Sequence, residues 1–136
     1  MGGKARLALS SGLTRALEQL ASVLDEYAGR SIVIGGIAVI ARGIPRVTRD
    51  IDVAFAGAEV TLRGLVADLA RAGIVPRIAD ALTFASEHQV LLARHAETEV
   101  DVDVSFAWLP FELEAISAAG PAVVAGTILQ VAQPED

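Results

Sequence analysis

The sequence predicts an α/β (α+β) fold, a mixed, twisted sheet flanked by helices, and three observations carry that reading. Ile32-Val33-Ile34 is a short β-branched run of the kind that forms a buried strand. Leu13, Leu17, Leu20 and Leu24 recur at steps of four, three and four, the stripe of an amphipathic helix. Glu99 to Phe106 alternates strictly, with Glu99, Asp101, Asp103 and Ser105 on one face and Val100, Val102, Val104 and Phe106 on the other. A chain of 136 residues that is 53% hydrophobic is expected to form a single domain, residues 1–136, with a substantial core.

Taken in order, residues 1–9 are small and basic and are expected to be loosely held. A helix is expected from Ser11 to Ala28, ended by Gly29 as a left-handed cap. The strand Ile32 to Ile34 leads through Gly35-Gly36 into an apolar helical segment, Ile37 to Ala41, which stops at Gly43. Asp50 to Phe55 reads as the next strand. Gly57-Ala58-Glu59 turns the chain into a helix over Val60 to Ala72, with Leu62, Leu65, Val66 and Leu69 inward and Gly73 after it. Ile74 to Ile78 reads as a strand whose Pro76 belongs at a sheet edge. Leu82 to Ala85 and Gln89 to Arg94 read as an antiparallel pair turning at Ser86-Glu87-His88. Pro110 opens a helix to about Ala118, where its missing N–H costs nothing. Ala122 to Ala125 and Thr127 to Ala132 are the last strands.

Composition narrows the function classes. No cysteine is present, so disulfides and thiolate metal sites are excluded, and a reducing cytoplasm is expected. Residues Ala115 to Pro134 carry no charge, yet Gly120-Pro121, Gly126, Gln130 and Gln133 interrupt them, and a turn with two strands is expected rather than a membrane helix. A net charge of −6 argues mildly against non-specific nucleic-acid binding, which rests on neutralising phosphates. Lys4 is the single lysine, so any acceptor RNA would have to be gripped by arginines.

The chemistry concentrates between Ile32 and Val53. A strand, a glycine pair and a helix start expose backbone N–H groups to an anion, with the positive end of the helix dipole behind them. Arg46, Thr48 and Arg49 follow, and then Asp50-Ile51-Asp52. On a strand, Asp50 and Asp52 share one face about 6–7 Å apart and repel each other unless a cation lies between them. Aspartate is depleted in strands, so two beside a Gly-Gly turn are hard to explain as mere surface. A phosphate cradle facing a carboxylate pair implies a metal-dependent reaction on a nucleotide. Glu99, Asp101 and Asp103 share a face, and from the residues alone any of them completes the cluster. Thr48 is placed to brace the loop through a side-chain-to-backbone hydrogen bond.

Gly35-Gly36-x-Ala38 followed by Gly43-x-x-Arg46-x-Thr48-x-Asp50-Ile51-Asp52 resembles the signature of the DNA polymerase beta-type nucleotidyltransferase superfamily. Within it, the chain most resembles the nucleotidyltransferase-like proteins of the abortive-infection toxin group of bacterial toxin–antitoxin systems. The resemblance runs from Ile32 to about Asp136 and is specific only in the stretch quoted. It implies a nucleotidyltransferase fold, with Gly35 and Gly36 holding nucleotide phosphates and Arg46 and Thr48 matching the pattern around them. It also implies two Mg²⁺ ions, or Mn²⁺ in their place, bound by Asp50, Asp52 and a third carboxylate. Counted back from Pro110, that third acid aligns with Asp103, with Asp101 as runner-up. Proteins of this kind continue past Gln133-Pro134-Glu135-Asp136 into a helical region, so a truncated or minimal member is expected. Apolar surface left there favours a homodimer or a cognate partner protein.

The resemblance implies transfer of a nucleoside monophosphate from an NTP to a hydroxyl of an RNA, such as a tRNA, or of a protein. Asp50, Asp52 and Asp103 would be the catalytic and metal-binding residues, and Asp103 would accept the hydroxyl proton. A catalytically silent binding or antitoxin module on the same fold is the alternative. A haloacid dehalogenase-type reading of Asp50-x-Asp52 fails, because Arg-Val-Thr-Arg precedes Asp50 and no lysine follows Lys4. His88 and His95 lack zinc-ligand spacing. Trp108, Phe111 and Tyr27 are expected to pack rather than to stack on a base.

Overall fold

In the computed structural model, residues 9–57 and 60–132 are described; residues 1–8 of the expected loose start at 1–9, the turn residues 58–59 and the tail 133–136 lie outside them. Ser10 opens α1 (Ser11–Leu24) by accepting a hydrogen bond from the Leu13 N–H at 3.1 Å. Its leucine stripe is wholly inward: Leu13, Leu17 and Leu20 are buried. The helix is shorter than expected, because Asp25–Tyr27 tightens into a 3₁₀ turn before Gly29. Then follow β1 (Ser31–Ile34), α2 (Gly35–Ala41), β2 (Ile51–Ala56), α3 (Leu62–Arg71) and β3 (Ile74–Pro76). The chain continues through α4 (Ala81–His88), β4 (Val90–His95), β5 (Val100–Ala107), α5 (Pro110–Ser117), β6 (Gly120–Val124) and β7 (Thr127–Val131).

The seven strands among the described residues join one sheet in the order β3-β4-β5-β2-β1-β7-β6. It is mixed: β2 runs parallel to β5, and β1 parallel to β7, while the other pairs are antiparallel. Pro76 lies on the edge strand β3, where its missing N–H breaks no ladder bond. No described helix is long and apolar enough to cross a membrane.

The sheet has two unequal faces. Ile51, Val53 and Phe55 of β2, with Val102 and Val104 of β5, point into the main core under α1 and α3. Tyr27 meets Phe55 edge-on at 5.2 Å between ring centroids. The alternate residues Ala54, Ala56 and Ala107 face the other way and pack with Ile32 against Ile116 of α5. That second cluster is small, so part of this face stays open. By the same alternation, Asp52 and Asp103 lie on the open part.

Three expectations are corrected. Leu82 to Ala85 is not a strand: residues Ala81–His88 form α4, with Ala81 and Ala85 four apart on the buried side. The helix wins because Gln89 takes a left-handed C-cap (φ 61°), its N–H donating to the Ala85 carbonyl, and β4 finds its partners in β3 and β5 instead. Glu99 leaves the β5 ladder at φ 62°, in the turn between β4 and β5. Phe111 stands 72% exposed rather than packed, and Trp108, though its ring lies against Gly57, is 52% exposed.

His95 ties the sheet to α1. The side chain is fully buried, with Nε2 2.6 Å from Gln19 Oε1 and Nδ1 2.7 Å from Thr98 Oγ1. Gln19 Oε1 can only accept, so Nε2 carries a proton, and in the neutral ring that burial favours Nδ1 accepts from the Thr98 hydroxyl. Burial holds the His95 pKa below the usual imidazole range. The unfolded chain therefore takes up a proton that the folded one refuses, and stability present above about pH 6.5 is lost as pH falls below it. Thermal melts from pH 8 to pH 5 should show a steeper loss for the wild type than for His95→Gln.

Candidate functional site

Between β1 and α2 the backbone must turn at Gly35 with φ +69°, a region that side chains rarely adopt. A Cβ there would also collide with the Asp52 carboxylate. Gly36 is constrained differently: its Cβ would lie 2.7 Å from Thr48 Oγ1. The glycine pair thus lets Asp52 and Thr48 close over the start of α2. Its cap residue, Ile34, makes no side-chain hydrogen bond to the first turn, so the N–H groups there have no side-chain cap.

Strand pairing aligns the acids. Ile34 pairs with Asp52, Asp52 with Asp103, and Asp103 with Leu92, so one row crosses β1, β2, β5 and β4. Asp101 lies two rows along, opposite Arg94 of β4. The register therefore sets Asp103, and not Asp101, beside Asp52. Asp50 falls one residue short of β2 and is exposed, so the expected strand face shared by Asp50 and Asp52 is replaced by a loop carboxylate next to a ladder carboxylate. Thr48 Oγ1 donates to the Asp50 carbonyl at 3.1 Å, bracing that loop.

The electrostatics are lopsided. Among the described residues Asp52 has no hydrogen-bond or ion-pair partner. Partial burial raises its pKa above the ordinary carboxylate value, and the nearby charges of Asp103 and Asp50 raise it further. Asp103 is neutralised by Arg77, whose Nη1 lies 2.6 Å from Asp103 Oδ1 and 2.8 Å from the Ala93 carbonyl. Asp101 meets Arg94 Nε at 2.8 Å and Arg77 Nε at 3.9 Å. Among the described residues no three histidine or acid side chains close into a group that would hold a metal, so Asp50, Asp52 and Asp103 are near neighbours without forming a ready cage. Arg46 and Arg49 stand in solvent on the loop leading to Asp50.

Arg77 and Arg94 escaped the sequence reading. Arg94 had a signal, since a basic residue alternating through a strand answers the acidic face of its neighbour. Arg77 had none, because the side chain reaches Asp103 across an intervening strand. The chain matches no family model, and no curated protein matches it.

Two outcomes follow for substitutions. Gly35→Ala should destabilise by about 1–3 kcal/mol through φ strain, with a further steric share recovered in Gly35→Ala/Asp52→Ala; chemical denaturation of the single and double variants measures both. Asp52 ionises less readily folded than unfolded, so its charge costs stability that appears as pH rises through the carboxylate range. Asp52→Asn should accordingly melt above the wild type at pH 7, and the gap should close toward pH 3.

Proposed function

We propose that this chain is a divalent-metal-dependent nucleotidyltransferase that moves a nucleoside monophosphate from an NTP to an acceptor hydroxyl. One observation carries the reading: Asp52 and Asp103, from parallel neighbouring strands, sit side by side at the Gly35-Gly36 turn. An uncompensated carboxylate beside a second one, next to free backbone donors, suits a cation that arrives with its own phosphate ligands. Magnesium is commonly held by one or two carboxylates plus substrate phosphates, so Asp52 and Asp103 fit one such ion without a complete protein cage. The ion would supply charge neutralisation at the reacting phosphate.

The chain's own residues divide the remaining work. Backbone N–H groups at Gly35 and Gly36 bind phosphate oxygens, and Arg46 and Arg49 reach the outer phosphates from their exposed loop. Thr48 fixes the loop that carries Asp50. The proton of the attacking hydroxyl passes to the carboxylate pair. Arg77 already holds Asp103 Oδ1, which leaves Asp52, the carboxylate with no cation partner among the described residues, as the acceptor in place of Asp103, to which the resemblance assigned that part. The acceptor class, RNA or protein, and a place in a toxin–antitoxin pair rest on the family resemblance alone.

A silent binding or antitoxin module is favoured by a different observation, the arginines already seated on Asp101 and Asp103. Calorimetry with each NTP and Mg²⁺ tests what the two readings share. The wild type should bind, and Asp52→Asn or Asp103→Asn should weaken binding at least about tenfold, with Asp101→Asn changing little. Equal binding by the wild type and by Asp52→Asn/Asp103→Asn would sink both. Incubation with α-labelled NTP, total RNA and lysate then separates them: label enters RNA or protein for the enzyme and neither for the module.

A further inference from the structure

The cation seated on Asp103 is itself informative. Arg77 follows the last residue of the edge strand β3, and its N–H donates to the Leu92 carbonyl, so its backbone is held in line with the Leu92–Asp103–Asp52 row. The side chain crosses Leu92, is only 18% exposed, and ends in three anchors: Asp103 Oδ1, the Ala93 carbonyl and, more distantly, Asp101 Oδ2. Fixing so long a side chain costs entropy, which the three anchors must offset. What distinguishes this pair is its place: the guanidinium covers one oxygen of the carboxylate next to Asp52.

Building on the nucleotidyltransferase reading, we infer that Arg77 is a positioning residue that stands in for the divalent cation on Asp103 and competes with it. With Arg77 in place, Asp103 offers one oxygen fewer to a metal ion, and a positive charge opposes the ion's approach. Asp52, one strand away, keeps no cation of its own. The site is thus half-neutralised in advance, tolerable when empty and weakly attractive to bare metal. A metal–nucleotide complex brings phosphates of its own, and a displaced Arg77 has those to pair with. Bare metal gives Arg77 no such second partner. The arrangement disfavours loading metal without nucleotide.

Manganese binding to the full chain without nucleotide, followed by electron paramagnetic resonance of free Mn²⁺, reads this directly. Arg77→Gln should bind Mn²⁺ roughly tenfold more tightly than the wild type, because a positive charge that repels the divalent ion at close range is removed. Arg77→Lys should stay near the wild type, and Arg77→Gln/Asp103→Asn should lose the gain. If Arg77 merely orients Asp103, its removal instead leaves affinity unchanged or lower, which overturns the inference. Should Arg77→Gln fail to fold, a wild-type titration decides: with Mg²⁺ and NTP, the Arg77 Nε–H resonance should shift together with the Asp52 amide. An Asp52 shift with Arg77 unmoved defeats the inference and leaves the proposed function standing. Neither signal moving defeats both.

Discussion

A carboxylate pressed against a backbone turn governs this fold's open face. Asp52 lies so close to Gly35 that no side chain fits there, and Gly35 sits at a positive φ that few other residues tolerate. Both constraints act on one residue. A chain selected for stability alone has easier solutions: an apolar residue at position 52, like Ala54 and Ala56 below it, or a helix start with a capping side chain. Keeping an unpartnered, half-buried acid instead raises its pKa and spends stability, the pattern typical of sites kept for chemistry.

The rest of the architecture serves that placement. One face of the sheet carries almost all of the burial, with α1 and α3 over Val53, Phe55, Val102 and Val104. The second face is sealed by the shorter α5 over three alanines, which leaves Asp52, Asp103 and Asp101 accessible without thinning the main core. The parallel pairing of β2 with β5 matters as much. It sets residue 52 beside residue 103 in a hydrogen-bonded ladder, so their spacing is fixed by the sheet rather than by loop conformation. Sites built on strands hold their geometry better than sites built on loops. Asp50, which falls just off the strand, lacks that support.

How much of this was legible in the sequence depends on the range of the interaction. The β5 alternation, the α1 leucine stripe and the Gly29, Gly43 and Gly73 turns are local signals, and each is present. The choice between Asp101 and Asp103 was not local. Both point the same way from one strand, and only the register with β2 separates them. Residues 82–85 misled for a related reason: Leu82-Thr83-Phe84 has strand-like composition, but β4, the strand expected to pair with it, is flanked on both sides by β3 and β5. Trp108 shows the limit from the other side. It is exposed, yet its ring lies on the backbone of Gly57 and its Nε1–H donates to Gln89 Oε1, contacts between positions far apart in the chain.

Charge on the open face supports the nucleotide reading in a way that composition does not. Asp50, Asp52, Asp101 and Asp103 set four negative charges against the two positive charges of Arg77 and Arg94, which leaves two uncompensated. That residue of charge equals one divalent cation. A net −6 chain looked ill-suited to phosphates, but the acids that make it so are partly gathered where a cation would convert them from repulsive to attractive. Arg46 and Arg49 stand exposed on the neighbouring loop and pair with none of these carboxylates, since Asp101 and Asp103 already have arginines of their own. Arg77 holds a carboxylate and a carbonyl at once, its Nη1 donating to both Asp103 Oδ1 and the Ala93 carbonyl. A chain with ten arginines and one lysine fits a face where cations must be shared between partners rather than simply supplied.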